Sequence, residues 1–423
     1  MDKFVIRGGK KLSGSVNING AKNSTLPILA GAILSGDNVM IKNIPDLKDV
    51  RTMMDVLRSI GLRLTEDFES RELHIKPSEK LNIETPYELI KQMRASFFVL
   101  GPLLARMGKA RVALPGGCAI GTRPVDIHLK GLEKLGAKII LGHGYVEASA
   151  SKLVGDNVYL DFPSVGATEN IMMAATLAEG KTLIENAAKE PEIDDLAAFL
   201  NTLGARIKGA GTDVIEITGV KSLGGGMHSI IPDRIEAGTF MVAAAMTGSN
   251  IKINNVRLDH LEAVIAKLQD AGVSFYKTGT TIEVAAPERL KPVNIKSFPY
   301  PGFPTDMQPQ FMAAMTLAKG TSCIQETIFE NRFMHVAELK RMGANVQIKD
   351  RSVIVEGVKH LSGAPVMASD LRAGAALVLA ALAASGKSEI LRVYHIDRGY
   401  ESFEKKLAGL GADISREKDT ALY

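Results

Sequence analysis

The residues able to do chemistry gather at three kinds of place. The first is the run 114–128, LPGGCAIGTRPVDIH, which holds Cys118, one of two cysteines in 423 residues. Three glycines and the flanking Pro115 and Pro124 exclude a regular element, so the run reads as a loop. Arg123 follows five residues after Cys118. A thiol beside a fixed positive charge can react as thiolate or serve as an acid. Taken alone, the loop also reads as a turn that holds a small apolar residue, the usual fate of a lone cysteine.

The second kind recurs just before or at the start of long apolar runs. Lys22 and Asn23, Arg94, Ser164 with Thr168 and Glu169, Asp233 and Arg234 with Glu236, Asp306, and Asp370 with Arg372 all stand there. If those runs are helices, their N-termini present unpaired N–H groups that suit anions. The third kind is an arginine 11 to 15 residues before a glycine: Arg123 before Gly136, Arg257 before Gly272, Arg332 before Gly343 and Arg398 before Gly411. Guanidinium forks grip carboxylates and phosphates, so several aimed at one cleft imply a substrate with more than one negative charge. Any one of these residues could be a plain helix cap or a solvated charge. Their common phase favours function for the set.

Other chemistries lack their signatures. No G-x-x-x-x-G-K run supports a phosphate loop, and no G-x-G-x-x-G supports a dinucleotide site. The eight histidines and two cysteines have no metal-ligand spacing. No metal and no cofactor are therefore expected. His128 reads as a ligand contact or a cap of its own helix, and Cys323, in TSCIQET, as a buried core thiol. Acid–base transfer on an anionic substrate is what remains.

Two glycine series show what must position these groups. Amphipathic segments end at Gly61, Gly136, Gly204, Gly272, Gly343 and Gly411. Apolar, Ala- and Met-rich segments end at or near Gly36, Gly108, Gly180, Gly248, Gly320 and Gly386. Glycine past a last turn is a common helix stop, and β-like runs follow most of these glycines. The chain thus reads as six copies of a unit of about 70 residues. The apolar helices should be buried and the amphipathic ones should lie on the surface. Six buried helices exceed one core, so three units per domain are expected, with residues 222–226, SLGGG, as a hinge.

Composition narrows the class further. Charged residues make up 23% and the net charge is +4, too small for a polyanion binder. No tryptophan and 5% aromatic residues argue against a base-stacking surface, hence no nucleic acid is expected. No apolar run of membrane-spanning length and no signal-peptide core is read, so no membrane insertion and a cytoplasmic location are expected.

NGAKNS at 19–24, the Cys118 loop, PTDMQ at 304–308, ENRF at 330–333, SDLRAG at 369–374 and DRGY at 397–400 closely resemble the bacterial UDP-N-acetylglucosamine 1-carboxyvinyltransferases. The likeness covers essentially the whole chain. It implies a two-domain, inside-out α/β barrel, each domain being three repeated units with buried parallel helices and outer strands. The implied domains are 21–229, with the Cys118 loop, and 1–20 plus 230–423. The implied reaction moves the enolpyruvyl group of phosphoenolpyruvate to the 3′-hydroxyl of UDP-N-acetylglucosamine and releases phosphate, through a tetrahedral ketal and without a metal. It opens peptidoglycan precursor synthesis, and no obligate protein partner is implied.

The resemblance also assigns roles. Lys22, Arg123 and Arg398 would hold phosphoenolpyruvate, with Arg332, Asp370 and Arg372 lining the same pocket. Cys118 would be the acid toward the methylene carbon, and Asp306 the base at the sugar hydroxyl. Asn23, Arg94, Arg123, Pro124, Val125, Asp126, Ile127, Ser164, Val165, Asp306 and Ile328 would contact the sugar nucleotide. Phe162 stands where many members carry lysine, so that nucleotide contact is not carried over. The related shikimate-3-phosphate enolpyruvyl transferases lack the reactive cysteine loop. A silent UDP-sugar-binding paralogue would not need Cys118, Asp306, Lys22 and Arg398 together. A bare repeat scaffold gives no reason to bury such charges.

Overall fold

A computed structural model of the chain describes residues 1–78, 80–90, 93–114 and 125–419, and of Arg94 the backbone alone. Helices of two characters alternate along it. The apolar segments give α1 (Lys22–Gly31), α3 (Leu100–Met107), α5 (Val165–Ala175), α7 (Arg234–Thr247), α9 (Gln308–Met315) and α11 (Leu371–Ala383). Between them lie α2 (Lys48–Ser59), α4 (Asp126–Lys134), α6 (Pro191–Thr202), α8 (Glu262–Asp270), α10 (His335–Arg341) and α12 (Phe403–Gly409). In α11 every residue from Arg372 to Leu382 is buried, as its alanine-rich, all-round apolar sequence requires. In α8 only Val264 and Leu268 are buried, the one-stripe pattern of an outer helix. Helix α6 departs from the outer pattern: most of it is buried, Glu192 and Asp195 included.

The glycines just past the outer helices, Gly61, Gly136, Gly204, Gly272, Gly343 and Gly411, have φ of +106°, +91°, +104°, +98°, +89° and +92°. A side chain there would cost about 1–2 kcal/mol of backbone strain, which explains the residue type.

The strands form separate small sheets. In one, Lys181–Glu185 pairs antiparallel with Val214–Thr218 and parallel with Asn157–Tyr159. Four other sheets repeat that plan, and a three-stranded sheet carries a parallel bridge, Glu84 with Arg111, in place of the fourth strand. No sheet closes on itself among the described residues, which corrects the expectation of a barrel. Each ladder ends after three or four strands, and the faces are covered by helices instead.

The described residues divide into two compact units, one within 20–114 and 125–231, the other within 1–19 and 232–419. Each has its own apolar core, built around α1, α3 and α5 in the first and α7, α9 and α11 in the second. Two short strands pair within their own unit with strands far away in sequence. Ser15–Asn17 runs parallel to Asn250–Asn254, and Gly226–Ser229 runs parallel to Val39–Lys42. The N-terminal strand Asp2–Arg7 lies between Lys387–Leu391 and Asp413–Lys418, antiparallel to both.

The run 222–226 is not a hinge. Leu223 is buried, the Gly224 N–H donates to the Leu203 carbonyl at 2.8 Å, and a Cβ built on Gly225 would come 2.3 Å from the Asn38 oxygen. These glycines permit close backbone approach, and the change of unit falls at 231–232. No helix among the described residues is long and apolar enough to cross a membrane.

Candidate active site

In the unit that carries residues 232–423, the turn Thr305–Met307 leads into α9 and presents Asp306. Its carboxylate lies between two buried guanidinium groups. Arg332 Nη2 donates to Oδ1 at 2.6 Å, and Arg372 Nε and Nη2 donate to Oδ2 at 3.2 and 3.1 Å. The arginine side chains are 2% and 1% exposed, and that of Asp306 is 24% exposed. The carboxylate is therefore the part of the cluster that meets solvent, and the arginines fix its direction from beneath.

The supports extend inward. Arg332 Nη1 donates to Thr305 Oγ1 at 2.7 Å, and Thr305 donates to Glu326 at 2.8 Å. Glu326 is buried at the end of its strand, where its other oxygen accepts from Ser297 Oγ and from the Ile328 and Phe329 N–H groups. Glu326 thus sets both the arginine and the Ile328 backbone. On the other side, the Arg372 guanidinium carbon is 5.3 Å from the centre of the Tyr400 ring. Tyr400 Oη in turn meets Thr239 and Gln310 at 2.9 and 3.1 Å. His335 is buried near Asp370 and Arg332; burial dominates and brings its pKa down to about 4, the Asp370 charge opposing and the Arg332 charge assisting. The imidazole is thus neutral at ordinary pH.

Asp370 caps α11, its Oδ1 accepting from the Arg372 and Ala373 N–H groups at 2.9 and 3.0 Å. Asp233 caps α7 in the same way. Arg398 is half-buried at the end of the turn Val393–Arg398. A Cβ built on its neighbour Gly399 would lie 3.6 Å from Arg372 Nη1, so the Arg398 turn and the Asp306 cluster adjoin. Arg257, at the same phase of the repeat, is instead an exposed surface group paired with Asp259 at 2.7 Å.

The unit 20–231 gathers a second set. Lys22 opens α1, and its ammonium lies 3.4 Å from Asp49 of α2, both side chains nearly buried. Asn23 follows, half-buried. Ser164 caps α5 by accepting the Ala167 N–H, which places Val165 at the first helical position. Val125 and Ile127 are half-buried and Asp126 is exposed at the start of α4. His128 neither caps α4 nor points away from the core. Its Nδ1 is 3.2 Å from Asn170 Nδ2, and its ring meets Phe97 edge-on at 5.4 Å. Glu169 is fully buried in α5 and neither carboxylate oxygen has a hydrogen-bond partner. Burial pushes its pKa well above the usual carboxylate range, and the Glu192 and Glu190 charges push it further.

Cys118, Arg123 and Pro124 lie outside the described residues, as does the side chain of Arg94. Cys323 is not the core thiol expected. It is half-buried on its strand and lines a cavity of about 510 Å³ with Lys267, Lys296 and Phe303.

Residues 6–407 match the family model described as EPSP synthase (3-phosphoshikimate 1-carboxyvinyltransferase). UDP-N-acetylglucosamine 1-carboxyvinyltransferase 1 of Caldanaerobacter subterraneus subsp. tengcongensis is 59% identical over 98% of this chain and 99% of that protein. UDP-N-acetylglucosamine 1-carboxyvinyltransferase 2 of Carboxydothermus hydrogenoformans is 58% identical over 99% of this chain and 100% of that protein. The chain belongs to the UDP-N-acetylglucosamine 1-carboxyvinyltransferase family. Among solved structures, the enolpyruvyl transferase NikO from Streptomyces tendae superposes with a TM-score of 0.89 at 26% identity, covering 99% of each chain. The mixed α/β fold of this carboxyvinyltransferase family member is thus that of the enolpyruvyl transferases.

Family motifs and phase singled out Asp306, Arg332 and Arg372, which the fold brings together. They gave no role to Asp49, which pairs with Lys22, to Glu326, which holds Thr305 and the Ile328 N–H, or to the buried His335, and they included Tyr400 only within the DRGY motif. Glu326 and His335 are marked in the sequence by nothing but their type, and only their burial as polar residues shows them.

Proposed function

We propose that the chain transfers the enolpyruvyl group of phosphoenolpyruvate to the 3′-hydroxyl of UDP-N-acetylglucosamine and releases phosphate, the step that commits material to peptidoglycan precursors. The observation that carries this is the 59% identity over 98% of the chain to a protein of that name. In this reading the cell interior, where both substrates are made, is its place of work.

The sugar hydroxyl oxygen bonds to C2 of phosphoenolpyruvate while a proton is added to C3. The ketal then loses a proton from C3 and phosphate from C2, which restores the double bond on the transferred group. Asp306 takes the hydroxyl proton and Cys118 supplies the proton to carbon. Each positioned group contributes on the order of 10²–10⁴ in rate. Asp306 suits its role because two arginines aim it and leave it the exposed member of the cluster. Lys22, Arg123 and Arg398 are assigned to the phosphoenolpyruvate anion, with Arg332 and Arg372 assigned to the same charge, and stabilise phosphate as it departs. Asn23, Arg94, Pro124, Val125, Asp126, Ile127, Ser164, Val165 and Ile328 bind the sugar nucleotide, and Asp370 holds the turn that presents Arg372.

The compact units 20–231 and 1–19 with 232–423 support a division into two enolpyruvyl transferase domains of three related units each. The deciding experiment supplies phosphoenolpyruvate with UDP-N-acetylglucosamine or with shikimate 3-phosphate. Phosphate release with the UDP-sugar alone is expected. Release only with shikimate 3-phosphate, or none beside an active control, would overturn the assignment.

A further inference from the structure

Helix α1 carries Lys22 and Asn23 in its first turn, yet it lacks a side-chain cap. Ala21 stands at the cap position and offers no side-chain acceptor there. What grips the turn comes from another helix. Ser24 Oγ, wholly buried, donates to Oδ2 of Asp195 on α6. The same oxygen accepts the Ile231 N–H at 3.3 Å, and Oδ1 meets His228 Nε2 at 2.9 Å. His228 lies on the strand Gly226–Ser229, and its ring packs edge-on against Phe199 of α6 at 5.6 Å. Because a carboxylate only accepts, the imidazole presents its N–H at Nε2.

One buried carboxylate therefore joins three pieces of chain: the first turn of α1, the last strand of the unit and the residue at which the chain leaves it. The Ala21 N–H, donated to the Ile231 carbonyl at 2.8 Å, ties the first and third pieces directly as well. The order is serine, aspartate, histidine, with the aspartate central. The histidine does not face the hydroxyl, so the group is not built to make Ser24 a nucleophile.

We propose that Asp195 is a positioning residue for the anion-binding turn: acting through Ser24, it fixes where Lys22 and Asn23 stand when substrate arrives. The proposal rests on the reading of Lys22 and Asn23 as substrate ligands. A buried charge held by three separate segments is costly to keep unless its geometry is used. Here that geometry is spent on the two residues of α1 that precede Ser24.

The test uses Ser24→Ala and Ser24→Thr in the full chain, with Asp195→Asn as a second probe of the same link. Steady-state phosphate release and amide hydrogen exchange over residues 22–26 are read together. For Ser24→Ala we expect KM for phosphoenolpyruvate and UDP-N-acetylglucosamine to rise about tenfold, the effect of losing one charge-assisted hydrogen bond. The kcat should change less than threefold, and exchange at residues 22–26 should speed up about tenfold. Ser24→Thr, which keeps the hydroxyl, should restore both. A variant that loses kcat with unchanged KM, or one with unchanged exchange, overturns the proposal. If Ser24→Ala does not fold, the same KM and exchange criteria are applied to Asp195→Asn. If the wild-type chain releases no phosphate, the functional reading fails, and the exchange measurement still decides whether Asp195 holds the turn.

Discussion

Replacing Asp306 by asparagine tests the clustered charges most directly. The side chain keeps its shape, but one carboxylate oxygen becomes an NH2 group. That group then faces a guanidinium donor with its own hydrogens. Either the 2.6 Å bond from Arg332 or the pair at 3.1 and 3.2 Å from Arg372 is lost. Both arginines are nearly fully buried, so the abandoned one keeps its charge without a partner. Removing one member of a buried pair costs about 3–5 kcal/mol. Asp306 is 24% exposed, so water recovers part of that, and about 2–4 kcal/mol is expected. For a unit of this size the loss lowers Tm by roughly 5–15 °C. Turnover should fall further than stability explains, by about 10²–10⁴, because the base is gone. Calorimetry of unfolding, titration of UDP-N-acetylglucosamine binding and phosphate release on one preparation separate these effects. A Tm within 2 °C of wild type would refute the buried-pair reasoning, by the scale of roughly 2–4 °C per kcal/mol. A large fall in Tm with near-normal turnover would keep the pair and remove Asp306 from the base role.

His335 gives an acid-side prediction. Its folded pKa is about 4, below the ordinary 6.5, so the unfolded chain takes up a proton that the folded chain refuses. Its contribution is whole above about pH 6.5 and is lost as pH falls toward 4, at about 1.4 kcal/mol per unit. Urea unfolding of His335→Gln between pH 7 and 4.5 should lack that slope; an identical slope would refute it. Glu169 acts in the other direction. Its raised pKa means that its contribution is complete below the ordinary value and is lost as pH rises through the folded one. Glu169→Gln should therefore gain on wild type between pH 5 and 9, and a constant difference in unfolding midpoint would count against it. An epoxide should add one mass increment at Cys118, faster with UDP-N-acetylglucosamine bound. Because Cys323 is half-exposed, peptide mapping must locate the adduct, and labelling at Cys323 alone would reverse the assignment of the two thiols.

The sequence carries the alternation of helices openly, because glycine spacing and all-round apolar runs are local signals. Gly272 and Gly411 mark helix ends by a conformation that few other residues adopt. Other features were hidden by distance. Nothing near Ser24 announces Asp195, 171 positions away. The run 222–226 misleads because glycine serves both freedom and close packing, and only the Asn38 oxygen beside Gly225 tells which. Cys323 misleads for a related reason: Ser322 and Ile324 are the strand's buried residues, and the thiol between them lines the cavity. The barrel expected from the family likeness is replaced by small separate sheets, because where each ladder ends is set by long-range pairing that leaves no local trace in sequence.

The strand Asp2–Arg7 has a consequence for how the chain can be made. Its partners are Lys387–Leu391 and Asp413–Lys418, so a ribosome finishes nearly the whole polypeptide before the first strand can be paired. The described parts of the other unit all fall within 20–231, so its strands can pair before the C-terminal ones are made. The sheet around Asp2–Arg7 joins residues nearly 400 positions apart, so it can pair only after Lys387–Leu391 has been made. A change in Asp2–Arg7 or in Asp413–Lys418 therefore acts on the same sheet, and products that stop before residue 387 cannot form it.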